Sequence, residues 1–119
     1  MSLNLALRRV ILFTHNIAVM RDFYRDVIGL TILEEDEGWV DFAAGGCNIA
    51  LHAAGTPGKT GAGANAPHKL VFFAADVAAA RAALLARGVP MKALGSDGAL
   101  QLCDGADPDG NRIQISNRA

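Results

Sequence analysis

The chain has 119 residues, a length typical of one domain, and it is 51% hydrophobic and 19% charged, which argues against intrinsic disorder. Eleven basic and twelve acidic residues leave a formal net charge of −1, so the sequence lacks the clustered basic charge of a nucleic-acid-binding protein. No apolar run approaches the ~20 residues that cross a bilayer. We therefore expect neither a nucleic-acid partner nor a membrane partner.

The cysteine usage and the first residues bear on the cellular compartment. Cys47 and Cys103 belong to no CxxC or Cys/His zinc spacing. Arg8 and Arg9 interrupt the apolar stretch near the N-terminus, and this pattern does not resemble a signal peptide. The prediction is a cytoplasmic protein with two reduced thiols.

The first half of the chain predicts one strand, one helix and three further strands. Residues 10–14 are β-branched and aromatic, and Asn16 follows as a helix N-cap whose side chain would accept a free N–H. Apolar residues at helical spacing then continue to Gly29, the expected end of the helix. The remaining strands are predicted at 30–34, 39–42 and 48–52.

The second half repeats this order. A strand is predicted at 69–74, and Asp76 and Gly88 are expected to begin and end the next helix. Val89 is expected to start a strand. Two more strands are predicted at 100–103 and 112–116, joined by a turn at 107–110.

The constant offset between these signals indicates an internal repeat. The predicted N-caps Asn16 and Asp76 lie 60 residues apart, and the glycines that end the helices lie 59 apart. We predict a single domain over 1–119, with repeat one at about 5–54, a linker at 55–67 and repeat two at about 68–117. The linker is rich in Gly, Pro and Ala, which is typical of a tether or of a flap over a site.

Three motifs in chain order resemble the vicinal oxygen chelate superfamily, which includes glyoxalase I, extradiol dioxygenases, fosfomycin-resistance enzymes and bleomycin-resistance proteins. They lie at 23–30, 69–76 and 107–115. The resemblance implies an α+β fold in which two βαβββ repeats form curved mixed sheets around a cleft, with the helices outside. It also implies a homodimer, which an open sheet edge in each repeat favours as well.

Strand alternation predicts which side chains would face this cleft. On each strand, one set of apolar residues would pack on the helices and the opposite set would face the cleft. Aromatic walls with a few polar anchors are typical of a small-molecule site. The candidate ligand-binding residues chosen in this way are Arg9, Ile11, Phe13, Trp39, Asp41, Asn48, His52, Lys69, Phe73 and Gln114.

The resemblance also bears on a metal cofactor. It places the superfamily's four metal ligands at Arg9, Ala50, Lys69 and Gln114. Arginine and lysine repel a cation and alanine has no donor atom, so we expect no metal cofactor. The alternative ligand set is His52, His68 and Asp41.

Three functions stay open at this point, and no catalytic residue is assigned. The first is a metal-free protein that binds an anionic or aromatic small molecule. The resemblance places Arg9 and Lys69 close together, and either an anion or Asp41 would neutralise these cations. The second is a metal-dependent lyase or dioxygenase with an atypical ligand set. The third is a non-catalytic structural or regulatory dimer.

Overall fold

The computed structural model describes residues 3–54 and 67–119. The chain divides into two compact units, Met1–Lys59 and Thr60–Ala119. The division falls within the segment predicted as a linker, of which residues 55–66 lie outside the described part. Each unit holds one four-stranded mixed sheet and one helical segment, which confirms the α+β class and the repeated βαβββ order. The cleft concerns both units together and stays a prediction.

In the first unit, the sheet is built from four short strands in the order β1-β4-β3-β2. Strands β1 and β4 are parallel, and the other neighbours are antiparallel. Strands β1 and β2 therefore form the edges of this sheet. The strands are β1 (Arg9–Thr14), β2 (Thr31–Asp36), β3 (Trp39–Ala43) and β4 (Asn48–Ala53).

The helical segment of the first unit changes its winding halfway. The α-helix α1 (Ile17–Asp22) continues directly as a π-helix (Phe23–Ile28). It ends at Gly29, whose φ of 91° is readily adopted only by a residue without Cβ. The carbonyl of Tyr24 accepts the N–H of Gly29 at 3.1 Å and that of Leu30 at 2.9 Å, so both bonds close the last turn of the helix. The predicted end of the helix is thus confirmed, and the π winding was not foreseen.

The start of this helix differs from the prediction in its capping. The helix does begin after Asn16, but the Asn16 side chain makes no capping hydrogen bond. Instead, the backbone N–H of Asn16 donates to the hydroxyl oxygen of Thr14 at 3.0 Å. The hydroxyl of Thr14, three residues before the first helical residue, therefore stabilises the turn into the helix.

The second unit repeats the topology of the first. Its strand order is β5-β8-β7-β6, with β5 parallel to β8. Asp76 caps the helix as predicted, because its carboxylate accepts the N–H of Ala79 at 3.0 Å. The elements are β5 (Leu70–Phe73), α2 (Val77–Ala86), β6 (Gly95–Asp97), β7 (Leu100–Ala106) and β8 (Arg112–Ser116).

The strand predicted to start at Val89 is wrong, since β6 begins only at Gly95. The N–H of Val89 donates to the carbonyl of Leu84 at 3.0 Å, so Val89 completes the end of α2. Its side chain and that of Met91 are buried. An apolar residue after a helix can thus enter the core without joining a sheet, and local pattern does not distinguish the two cases.

Each unit buries its core between its helix and one face of its sheet. In β1, Leu12 is buried whereas Ile11 and Phe13 are exposed, as strand alternation predicted. Among the described residues, the same alternation leaves one face of each sheet without a covering helix from its own unit. No helix among the described residues is long and apolar enough to cross a membrane.

Candidate functional site

The uncovered face of the first sheet carries the predicted residues in rows that follow the strand register. We call this surface the aromatic face. Its first row consists of Phe13, His52 and Trp39, which lie opposite one another on β1, β4 and β3. The second row consists of Ile11, Ala50 and Asp41, and Arg9 lies opposite Asn48 at the start of β1 and β4.

The first row is a cluster of three rings, of which Phe13 and His52 are exposed and Trp39 is half-buried. The Phe13 side chain is 63% exposed. Its ring centroid lies 5.5 Å from that of His52 in a T-shaped arrangement, and the His52 centroid lies 6.0 Å from that of Trp39. Edge-to-face contacts of this kind hold the rings in a defined orientation. The cluster therefore presents a preformed apolar surface to a ligand or to another protein surface.

Below these rings, the carboxylate of Asp41 is buried and binds a guanidinium group. Arg9 donates from Nε to Oδ1 at 3.1 Å and from Nη2 to Oδ2 at 3.0 Å. Asn48 Nδ2 donates to the same Oδ2 at 3.4 Å. The hydrogen bond to Asp41 is the main reason why the pKa of Arg9 is raised above its ordinary value. The Arg9 charge is thus held and balanced within its own sheet.

The guanidinium of Arg9 also approaches the aromatic row. Its Cζ atom lies 5.9 Å from the centroid of the Trp39 ring, which is within the range of a cation–π contact. Because Asp41 holds both ends of the guanidinium fork, the position of Arg9 against Trp39 is restricted. The ion pair therefore fixes the position of the Arg9 guanidinium beside the Trp39 ring.

The second sheet contains an ion pair of the same kind. Lys69 Nζ donates to Asp104 Oδ1 at 2.9 Å, and Gln114 Nε2 donates to the same oxygen at 3.0 Å. Partial burial raises the pKa of Asp104, but the hydrogen bonds from Gln114 and Lys69 and the charge of Lys69 outweigh it, so the pKa lies below its ordinary value. Phe73 is 61% exposed on β5.

Sequence reasoning missed Asp104, although a signal for it was present. Asp104 lies opposite Gln114 in the same way that Asp41 lies opposite Ala50, so the two aspartates occupy equivalent positions of the repeat. Applying the repeat to β7, with the alternation used for β3, would have identified it. Lys69 and Arg9 each have a carboxylate partner in their own sheet, and neither cation needs a bound anion for charge balance.

The positions that the resemblance assigns to a metal do not fit a divalent cation. Arg9 and Lys69 are themselves hydrogen-bond donors to carboxylates, and Ala50 has no donor atom. Gln114 could contribute one oxygen, whereas a divalent cation requires several converging ligands. Within residues 3–54 and 67–119, no group of three or more His, Cys, Asp or Glu side chains is placed to hold a metal ion.

The three residues of the alternative ligand set have different neighbours. His52 packs against the Trp39 ring, and Asp41 accepts hydrogen bonds from Arg9. His68 is exposed and directly precedes the Lys69–Asp104 pair along the chain. Both carboxylate oxygens of Asp41 therefore bind Arg9 in this structure and would have to leave it to bind a metal ion.

The model of the Glyoxalase/Bleomycin resistance protein/Dioxygenase superfamily matches residues 6–115. The chain belongs to this superfamily. The match covers the three motifs on which the resemblance was based, and it confirms that resemblance. No curated protein matches the sequence.

Several solved structures share the fold at low sequence identity. TnmS3, an antibiotic binding protein from Streptomyces sp. CB03234, is 21% identical over 97% of both chains, with a TM-score of 0.77. Lactoylglutathione lyase from Agrobacterium tumefaciens is 21% identical over 97% of this chain and 95% of its own, with a TM-score of 0.75. SMU.1112c is 19% identical over 95% and 98% of the two chains, with a TM-score of 0.80. These likenesses establish the fold of this superfamily member.

Proposed function

We propose that the protein is a small-molecule-binding member of the superfamily that holds a planar aromatic ligand on its aromatic face without a metal ion. The observation that carries this proposal is the row formed by Phe13 and His52, which are exposed, and Trp39, which is half-buried, beside the Arg9–Asp41 pair. Apolar rings next to a few oriented polar groups form the usual lining of a small-molecule site.

The chemistry of the row favours an aromatic ligand over a purely anionic one. Phe13 and Trp39 offer ring surfaces, and each well-oriented aromatic pair contributes about 0.5–1.5 kcal/mol beyond the burial of its area. Arg9 would attract an anion only in competition with Asp41, which already accepts two hydrogen bonds from it. An anionic group on the ligand would therefore add little affinity at this surface.

The proposed absence of a metal rests on the residues at the expected ligand positions. Arg9 and Lys69 occupy two of them and are cationic, and Ala50 occupies a third. TnmS3 is described as an antibiotic binding protein, which supports a binding role for this fold. Another structural neighbour is described as a lyase, and a metal-dependent lyase or dioxygenase stays the alternative function.

A pair of dyes tests the proposal, because the chain has a single tryptophan. N-phenyl-1-naphthylamine is neutral, and 8-anilinonaphthalene-1-sulfonate is its sulfonated relative. We expect both to quench Trp39 by energy transfer with similar affinity in protein treated with EDTA. Phe13→Ala should weaken binding about tenfold. The matched control is Val19→Ala, which removes an exposed apolar side chain from the helix of the same unit.

Two results would contradict the proposal. One is the lack of energy transfer from Trp39 with either dye, or transfer that Phe13→Ala leaves unchanged. The other is binding that is lost with EDTA and restored by added Zn²⁺, which would favour the metal-dependent alternative. Much tighter binding of the sulfonated dye would show that the site selects an anionic ligand rather than a neutral aromatic one.

The assembly is part of the proposal. We propose a homodimer in the cytoplasm, because edge strands and exposed rings such as Phe13 and Phe73 suit contact with a second copy, and because both cysteines are free. Sedimentation should give the mass of two chains. If Phe13→Ala produces monomers while no dye binds, the face is an interface and the protein is a structural or regulatory dimer.

A further inference from the structure

The polar end of the aromatic face contains a hydrogen-bond donor that no residue in the described part of the chain uses. The guanidinium of Arg9 binds Asp41 through two of its three nitrogens, Nε and Nη2. The third nitrogen, Nη1, makes no hydrogen bond with residues 3–54 and 67–119. Because the group is planar and its donors are fixed in a fork, Nη1 lies on the side turned away from Asp41.

This donor can be reached from the solvent. The side chain of Arg9 is 34% exposed. Among the described residues that are not fully exposed, the one buried side-chain nitrogen or oxygen without a hydrogen bond is His15 Nδ1. Arg9 Nη1 is therefore not buried, and its two N–H groups are available to a ligand.

The carboxylate beside this donor is already bound. Asp41 is buried, and its oxygens accept two hydrogen bonds from Arg9 and one from Asn48. The polar end of the face therefore offers a ligand a donor rather than an acceptor. Since Asp41 also balances the charge of the guanidinium, a neutral acceptor keeps this balance, whereas a carboxylate would add an unpaired negative charge beside Asp41.

The donor also lies next to the row of rings. Arg9 Cζ, to which Nη1 is bonded, is 5.9 Å from the centroid of the Trp39 ring. A planar ligand that packs on Trp39 would bring the substituents of its own ring close to this nitrogen. The ion pair with Asp41 holds the guanidinium in place, so the donor is oriented before a ligand binds.

We propose that the ligand of the aromatic face is a neutral planar aromatic compound with a carbonyl group on its ring, such as an aromatic ketone or carboxamide. Its carbonyl oxygen accepts a hydrogen bond from Arg9 Nη1. This inference rests on the proposed function, because it names the chemical class of the ligand that the same face would bind.

Three naphthalenes that differ in one substituent test this inference by displacing N-phenyl-1-naphthylamine from the protein. 2-Ethylnaphthalene has no acceptor, 2-acetylnaphthalene has a neutral carbonyl, and 2-naphthoate has a carboxylate. We expect the ketone to bind more tightly than the ethyl compound, although it is the less hydrophobic of the two. 2-Naphthoate should bind no more tightly than the ketone, because Asp41 already balances the charge of Arg9.

A double variant, Arg9→Met with Asp41→Leu, removes the donor without leaving a buried charge unpaired. The ratio of the affinities for the ketone and the ethyl compound should fall about tenfold, since a hydrogen bond to a charged donor is lost. The matched control is Arg21→Met with Glu35→Leu, which removes another arginine–carboxylate pair of the same unit. This control should keep the wild-type ratio.

The outcomes separate this inference from the proposed function. If wild-type protein binds the ethyl compound as tightly as the ketone, the inference is overturned and the aromatic face remains a binding site. An unchanged ratio in the Arg9 and Asp41 double variant would also overturn it, as would tighter binding of 2-naphthoate than of the ketone. If N-phenyl-1-naphthylamine itself does not bind, the proposed function fails and this inference fails with it.

Discussion

The two units share one frame but present different chemistry on their uncovered faces. In each sheet, a cation at or just before the start of the first strand binds an aspartate on the third strand: Arg9 binds Asp41, and Lys69 binds Asp104. The difference lies in the neighbours in register. Where the first sheet has Asn48, the second has Arg112. A few positions on a repeated frame therefore give the two faces different side chains.

The same core position is filled by different residues in the two units. Phe42 on β3 lies opposite Ile49 and is fully buried. The equivalent residue on β7 is Gly105, opposite Ile113, where the side chain of Met91 occupies the place of a Cβ. The core of the first unit is thus filled from the strand itself, and that of the second is filled by a residue that follows the helix.

The largest expected effect comes from the helical segments. Tyr24 in the π-helix is fully buried and packs against Phe23 and Phe42 with ring centroids 5.0 Å and 6.1 Å away. Tyr24→Ala should lower the free energy of unfolding by about 3–5 kcal/mol. Leu84→Ala in α2 should cost nearer ~2 kcal/mol, because the leucine side chain is smaller than that of tyrosine and takes part in no ring–ring pair. Urea unfolding followed by circular dichroism measures both, and equal losses would contradict the comparison.

Because Met91 fills the space beside Gly105, we expect that this glycine cannot be replaced without loss of stability. Gly105→Ala should destabilise the protein by about 1–3 kcal/mol, since the new methyl group would overlap Met91. Gly46→Ala is the matched control in the first unit, where an added Cβ meets nothing within 4 Å. Thermal unfolding should separate the two variants clearly. Identical melting temperatures would show that Met91 moves aside at no cost.

The helix starts should respond differently to loss of their polar residue. Asp76 accepts the N–H of Ala79, so Asp76→Ala should cost about 1 kcal/mol. Asn16 makes no side-chain capping bond, so Asn16→Ala should cost clearly less. Chemical denaturation of the two variants under identical conditions is the measurement. A larger loss for Asn16→Ala would reverse the assignment of the caps.

The smallest effect concerns pH. Because the pKa of Asp104 is lowered from 3.8 on folding, its contribution to stability is complete above that value and is lost as the pH falls through the lowered one. Asp104→Asn should therefore flatten the acid side of the stability profile. Asp97→Asn, which removes an exposed carboxylate of the same unit, is the matched control for the change in charge. Equal slopes for all three proteins would disprove this role of Asp104.

Local signals identified most of the elements because they act over a few residues. Asp76 lies only three residues before the N–H that it accepts, and Gly29 directly follows the last apolar residue at helical spacing. Strand alternation likewise placed Ile11 and Phe13 on the face opposite Leu12. Asn16 and Val89 are the exceptions. The backbone N–H of Asn16 donates to the Thr14 hydroxyl while its side chain makes no capping bond, and the N–H of Val89 donates to the Leu84 carbonyl rather than to a neighbouring strand.

The sequence by itself determined the repeat, the superfamily, most of the strands and the faces of β1. Each of these depends on spacing and on side-chain type, which are visible without coordinates. Only the tertiary structure decided which charges meet. Lys69 and Asp104 are 35 residues apart and pair through the register of three strands, and Lys92 joins them through a backbone hydrogen bond to β7. Register over such distances follows from the packing of the whole sheet, so no local pattern contains it.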